Sequence, residues 1–141
     1  RADFFGLTNE HTRSDLLRAV YEGLAHSIRD GYEVLPVQVD EIRLTGGAAK
    51  SGFFCQMIAD VTGKRVVIPA GSEFGAKGAV LLAAVGIGWF RSIADALVAS
   101  STTLRTYETN HETYQMYDRV YETYCALRIS LRDVWRSHAR H

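Results

Sequence analysis

Residues 43–54 read RLTGGAAKSGFF. An apolar segment, the pair Gly46-Gly47 and the pair Lys50-Ser51 succeed one another, in the order in which a strand hands its chain to a helix. Upstream, Ile42 and Leu44 alternate with Arg43 and Thr45 as a short strand would. Downstream, the spacing predicts a helix from about Ser51 to Thr62 that stops at Gly63. Such a turn is a natural phosphate cradle. Glycine lets the backbone come close to a ligand, and the free amides at a helix N-terminus sit in a partial positive field. Glycine also serves strand-to-helix turns for structural reasons alone, so this stretch by itself leaves both readings open.

The obvious nucleotide motifs fail on spacing. A phosphate-binding loop needs glycine directly before Lys-Ser and another five residues earlier; here Ala49 and Leu44 hold those places. A GxGxxG fingerprint built on Gly75 and Gly78 would need glycine at position 73, which is Glu73. Lys50 therefore reads as a solvated side chain in the first helical turn. What remains is a turn in which phosphate would meet amides near Gly46 and Gly47, with Ala48 and Ser51 placed to flank a base. Gln56 and Asp60 lie further along the same helix and read as facing water or a neighbouring element.

Working outward, HTRSDLLRAVYEGLAHSIRDG (11–31) predicts a helix. Thr12 and Asp15 have capping-box spacing, and Gly31 suits the position past the end. Leu16, Leu17, Val20, Leu24, Ala25 and Ile28 share one face, and His26 beside them reads as a packing residue. Pro36 breaks the segment before the strand at 42–45. KRVVIP (64–69) predicts a second strand ended by Pro69. A third helix follows with Ser72 as N-cap, and its Gly75, Ala76, Gly78, Ala79, Ala83 and Ala84 would permit another backbone to come close. A short helix near Ile93 to Val98 and a long one from about Glu112 to Trp135 complete an α/β layer with more helix than strand. No internal repeat is visible.

Composition bounds the partners. The 141 residues suffice for one domain with a core. Sixteen basic and sixteen acidic side chains cancel, so nothing advertises nucleic acid or an anionic membrane. The run GAVLLAAVGIGWF (78–90) is too short to span a bilayer and reads as a buried helix. Cys55 and Cys125 are far apart with no CxxC pair, which fits reduced thiols in a cytosolic protein. The stretch Arg1-Ala2-Asp3, running at once into Phe4-Phe5, does not read as a signal peptide.

Several stretches, in order, resemble a known family. Ala2-Asp3-Phe4-Phe5-Gly6-Leu7, then Asp15-Leu16 and Ala19-Val20-Tyr21-Glu22, resemble the C-terminal signature of the FGGY carbohydrate kinases. LTGGAAKSGFFCQMIADVTGKRV (44–66) resembles that family's adenosine-binding stretch, GAKGAVLLAA (75–84) its small-residue helix, and YETNHETYQMYDRVYETY (107–124) its tyrosine-rich last helix. The resemblance covers nearly the whole chain. It implies an actin-like, ribonuclease-H-like lobe, with residues 1–141 as a C-terminal domain incomplete on its N-terminal side and ATP held between this lobe and a second, sugar-binding one.

The implied activity is transfer of the γ-phosphoryl group of ATP to a sugar or polyol hydroxyl, with a pentulose as the leading substrate type. Gly46, Gly47, Ala48 and Ser51 would be the nucleotide-binding residues of this chain. No acidic residue here matches the family's aspartate base, so catalytic and metal-binding residues are expected in the other lobe, with Mg2+ held mainly by the phosphates and that lobe. A cytoplasmic protein is implied, and a homodimer is compatible with it. The competing reading is a non-catalytic interaction module, in which the Gly-Gly turn is structural and the stripe of Tyr114, Tyr117, Tyr121 and Tyr124, continued by Leu131 and Trp135, forms a partner groove. The stripe reads first as core packing. An actin-like scaffold ATPase would share the fold without predicting the 2–22 signature.

Overall fold

A computed structural model describes residues 3–138; Ala2, the first residue of the N-terminal signature, lies outside them. The elements run α1 (Arg13–Glu33), β1 (Glu41–Arg43), a single 3-10 turn (Ala48–Lys50), α2 (Gly52–Thr62), β2 (Arg65–Pro69), α3 (Phe74–Gly86), α4 (Ile93–Ser100), β3 (Thr103–Tyr107), α5 (His111–Ser130) and α6 (Arg132–His138). The strands form one sheet in the order β1-β2-β3, with β1 parallel to β2 and β2 antiparallel to β3.

Helix α2 is the centre of the molecule. Its sequence is apolar nearly all round, as a helix covered on several sides must be. Cys55, Ile58, Ala59 and Val61 are fully buried, and Ala25 of α1, Ile42 of β1, Val66 of β2 and Tyr117 of α5 close over them. Gly63 ends α2 at φ +67°, a left-handed conformation that favours glycine, with its amide bonded to the Ala59 carbonyl.

Helix α5 locks to α2 through polar groups at its start. Asp60 Oδ1 accepts from the Asn110 amide at 2.9 Å and from Gln56 Nε2 at 2.9 Å. Gln56 Nε2 also donates to the Glu108 carbonyl at 2.8 Å. Of the two options left open for Gln56 and Asp60, the neighbouring element is the one realised: they hold the β3–α5 junction. The tyrosine stripe turns inward. His26 stacks on Tyr121 and Tyr124 at 5.8 and 5.5 Å, and Arg29 pairs with Asp118, lies 4.1 Å over the Tyr121 ring and donates to the Val61 carbonyl.

Six sequence expectations change. Helix α1 continues through Gly31 to Glu33 and ends at Val34, because nothing there requires a left-handed residue. Its apolar face is wider than its neighbours: Ala25 is buried and Ile28 packs on the core, whereas Leu17, Val20 and Leu24 remain exposed. Glu73, not Ser72, holds the N-cap position of α3, and no side chain caps it. Helix α3 packs chiefly against α4, so only Leu81 and Ala84 of it are buried and the 78–90 run is largely open. Its glycines meet no described backbone either, since a Cβ at Gly75 or Gly78 would find nothing within 4 Å. Finally, the closing helix breaks at Leu131 into α5 and α6.

Candidate functional site

The Gly-Gly turn leaves β1 as read from the sequence, but a 3-10 turn separates it from α2. Gly46 sits at φ +79°, where a side chain would be strained. Gly47 is different. At φ −63° and ψ −41° it has ordinary helical geometry, and a Cβ there would meet nothing within 4 Å. Neither the backbone nor the packing of the described residues calls for glycine at this position. The amides of Gly46, Gly47 and Ala48 donate to no other described residue; the turn's own bonds begin with Lys50 N to the Gly47 carbonyl and Ser51 N to the Ala48 carbonyl.

Gly46 and Gly47 line a cleft of about 540 Å³, within the size range of small-molecule sites. It lies beyond the carboxyl ends of the parallel strands β1 and β2, where open α/β sheets bind ligands. One wall is Leu44, Thr45, Gly46, Gly47 and Lys50. The opposite wall is the β2–α3 turn, with Gly71 at φ +118° followed by Ser72, Glu73 and Phe74. Ile68 of β2 and Leu104 and Arg105 of β3 also line it.

Of the four residues assigned from sequence, Gly46 and Gly47 line this cleft and Ala48 and Ser51 do not. Ala48 is half-buried against the core, its carbonyl 3.7 Å from Cys55 Sγ. Ser51 caps α2 by accepting from the Phe54 amide at 3.3 Å. Burial raises the Cys55 thiol above its ordinary range, which keeps it protonated and a donor toward the carbonyls of Ala48 and Ala49. The second wall went unread, although Gly71 before a helix start was its signal in the sequence. Among the described residues no group of three or more His, Cys, Asp or Glu is placed to hold a metal ion, and no helix is long and apolar enough to cross a membrane.

Comparison with known proteins gives this arrangement its context. Residues 1–87 match the model of the FGGY family of carbohydrate kinases, C-terminal domain. The chain belongs to the FGGY family of carbohydrate kinases. It is 32% identical over 130 residues to a xylulose kinase of Staphylococcus epidermidis, covering 90% of this chain and 26% of that protein. It is 34% identical over 144 residues to the L-xylulose/3-keto-L-gulonate kinase of Escherichia coli, covering 97% of this chain and 28% of the relative. Among solved structures, ligand-bound xylulose kinase from Lactobacillus acidophilus superposes with a TM-score of 0.84 at 25% identity, over 92% of this chain and 27% of that one. The fold is thus that of the actin-like sugar kinases. The chain spans about a quarter of the length of the relatives it matches.

Proposed function

We propose that this chain is the nucleotide-binding lobe of an ATP-dependent carbohydrate kinase that phosphorylates a sugar hydroxyl, a pentulose by preference. The observation that carries the nucleotide reading is Gly47: a glycine that its own structure does not require, flanked by unpartnered amides and facing the cleft. A ligand that must touch the backbone supplies the missing reason. The pentulose preference rests on the xylulose kinases among the relatives.

In this reading the amides of Gly46 and Gly47 hold phosphate oxygens, and the end of the β1–β2 sheet forms a fixed floor beneath the nucleotide. Ala48 and Ser51 act one step back, by shaping and capping the turn. Phosphoryl transfer depends mainly on positioning and charge neutralisation, and Mg2+ carried by the phosphates supplies part of that neutralisation. The base that takes the sugar's hydroxyl proton, and most sugar contacts, come from a second lobe elsewhere in the polypeptide. Closure of that lobe over the cleft would exclude water and bring the acceptor into line.

The test is ADP release in a coupled assay, with a panel of pentuloses, hexuloses and polyols. The full-length polypeptide is expected to turn over with a pentulose, while residues 1–141 alone show no sugar-dependent turnover. Absence of turnover with every acceptor by the full-length protein would refute the kinase reading. Turnover at ordinary kinase rates by residues 1–141 would show that the base lies in this chain.

A further inference from the structure

The cleft contains one cation whose placement the Gly-Gly turn does not explain. Arg105 pairs in register with Ile68, and Leu44 joins the same row by donating its amide to the Val67 carbonyl at 3.0 Å. Residues opposite one another on neighbouring strands share a face. Arg105 therefore stands on the face of Leu44 and Ile68, at the end of the sheet where the cleft opens. Arg18, Arg29, Arg43, Arg65 and Arg128 are each paired with a carboxylate. Arg105 has no ion pair or side-chain hydrogen bond among the described residues, and of the arginines without one it alone lines the cleft.

We propose that Arg105 is the positioning cation that reads the nucleotide's phosphates beside Gly46 and Gly47, a role that rests on the nucleotide reading above. Arg105 and the two glycines line the same cleft. A guanidinium offers a planar fork that matches two phosphate oxygens, whereas Lys50, at the end of the 3-10 turn, is a point charge on a flexible stem. On the opposite lip Glu73 repels a polyanion, so the phosphates are drawn to the Arg105 side.

The experiment measures ADP and adenosine affinity by equilibrium dialysis on this chain and its Arg105→Gln and Arg105→Lys variants. Arg43→Gln serves as a control, removing an exposed arginine of β1 that is paired with Glu41. Arg105→Gln is expected to weaken ADP about tenfold, the loss of one charge-assisted hydrogen bond, and to leave adenosine unchanged. Its ADP affinity should also depend less on salt, and Arg105→Lys should restore part of the loss. Equal weakening of both ligands, or unchanged ADP affinity in Arg105→Gln, overturns the proposal. If the unaltered chain binds neither ligand, the nucleotide reading itself fails and this role with it.

Discussion

Replacing Tyr117 tests whether the tyrosine stripe is core or a surface left for a partner. The residue is 2% exposed, meets His26 edge-on at 5.8 Å, and donates its hydroxyl to Glu22 at 2.9 Å while accepting from Arg18 at 3.1 Å. Tyr117→Ala removes the whole ring and leaves a cavity between α1 and α5, a change that costs about 3–5 kcal/mol in well-packed cores. Tyr117→Phe keeps the ring and removes one hydroxyl. Arg18 and Glu22 still pair at 2.8 Å without it, so the cost falls to about 0.5–1.5 kcal/mol. Against a total stability of about 5–15 kcal/mol, the alanine variant sits near the folding limit and the phenylalanine variant does not. Urea unfolding followed by far-ultraviolet circular dichroism gives both values. A loss below about 1 kcal/mol for Tyr117→Ala would refute the packing argument and open the stripe to a partner helix.

Acid should destabilise the chain through His26. Burial first, and the Arg29 charge second, hold its pKa below the ordinary histidine value, and neither ring nitrogen has a hydrogen-bond partner among the described residues. The folded state therefore prefers the neutral ring: this contribution is fully present above about pH 6.5 and is lost as pH falls below it. Urea midpoints at pH 7.5 and pH 5 should show the drop, His26→Phe should reduce it, and a profile identical in the two proteins would contradict the assignment. Gly63→Ala should cost about 1–2 kcal/mol for the left-handed backbone alone. Its Cβ would also stand 2.7 Å from the Tyr114 ring, so an unchanged melting temperature would contradict the geometry.

The elements that were legible in the sequence are those with a buried face and a hard stop. Helix α2 was readable to within a residue because its apolar run ends at Gly63, and β2 because Val66, Val67 and Ile68 precede Pro69. Strand β3 was not readable. Residues 103–106 are exposed, so no apolar alternation marks them, and the strand exists through its pairing with β2. The same holds for the cleft. Gly46 and Gly47 announce a close approach locally, but Phe74 and Arg105 reach the cleft only through the sheet register and the β2–α3 turn. Gln56 and Asp60 show the opposite limit: their spacing on α2 was visible, while their partners Glu108 and Asn110 lie about fifty residues downstream.

The most direct test of the account is the ADP affinity of this chain beside that of Gly47→Val, measured by isothermal titration together with the unfolding midpoint of each. The structure leaves room for the new side chain and the backbone there is ordinary, so the variant should unfold at the same denaturant concentration as the unaltered chain. The added methyl groups would occupy the space in which a phosphate must approach the amides, and ADP should bind about tenfold or more weakly. Equal ADP affinity in a folded Gly47→Val, or no ADP binding by the unaltered chain, would contradict the claim that this turn is where the nucleotide sits.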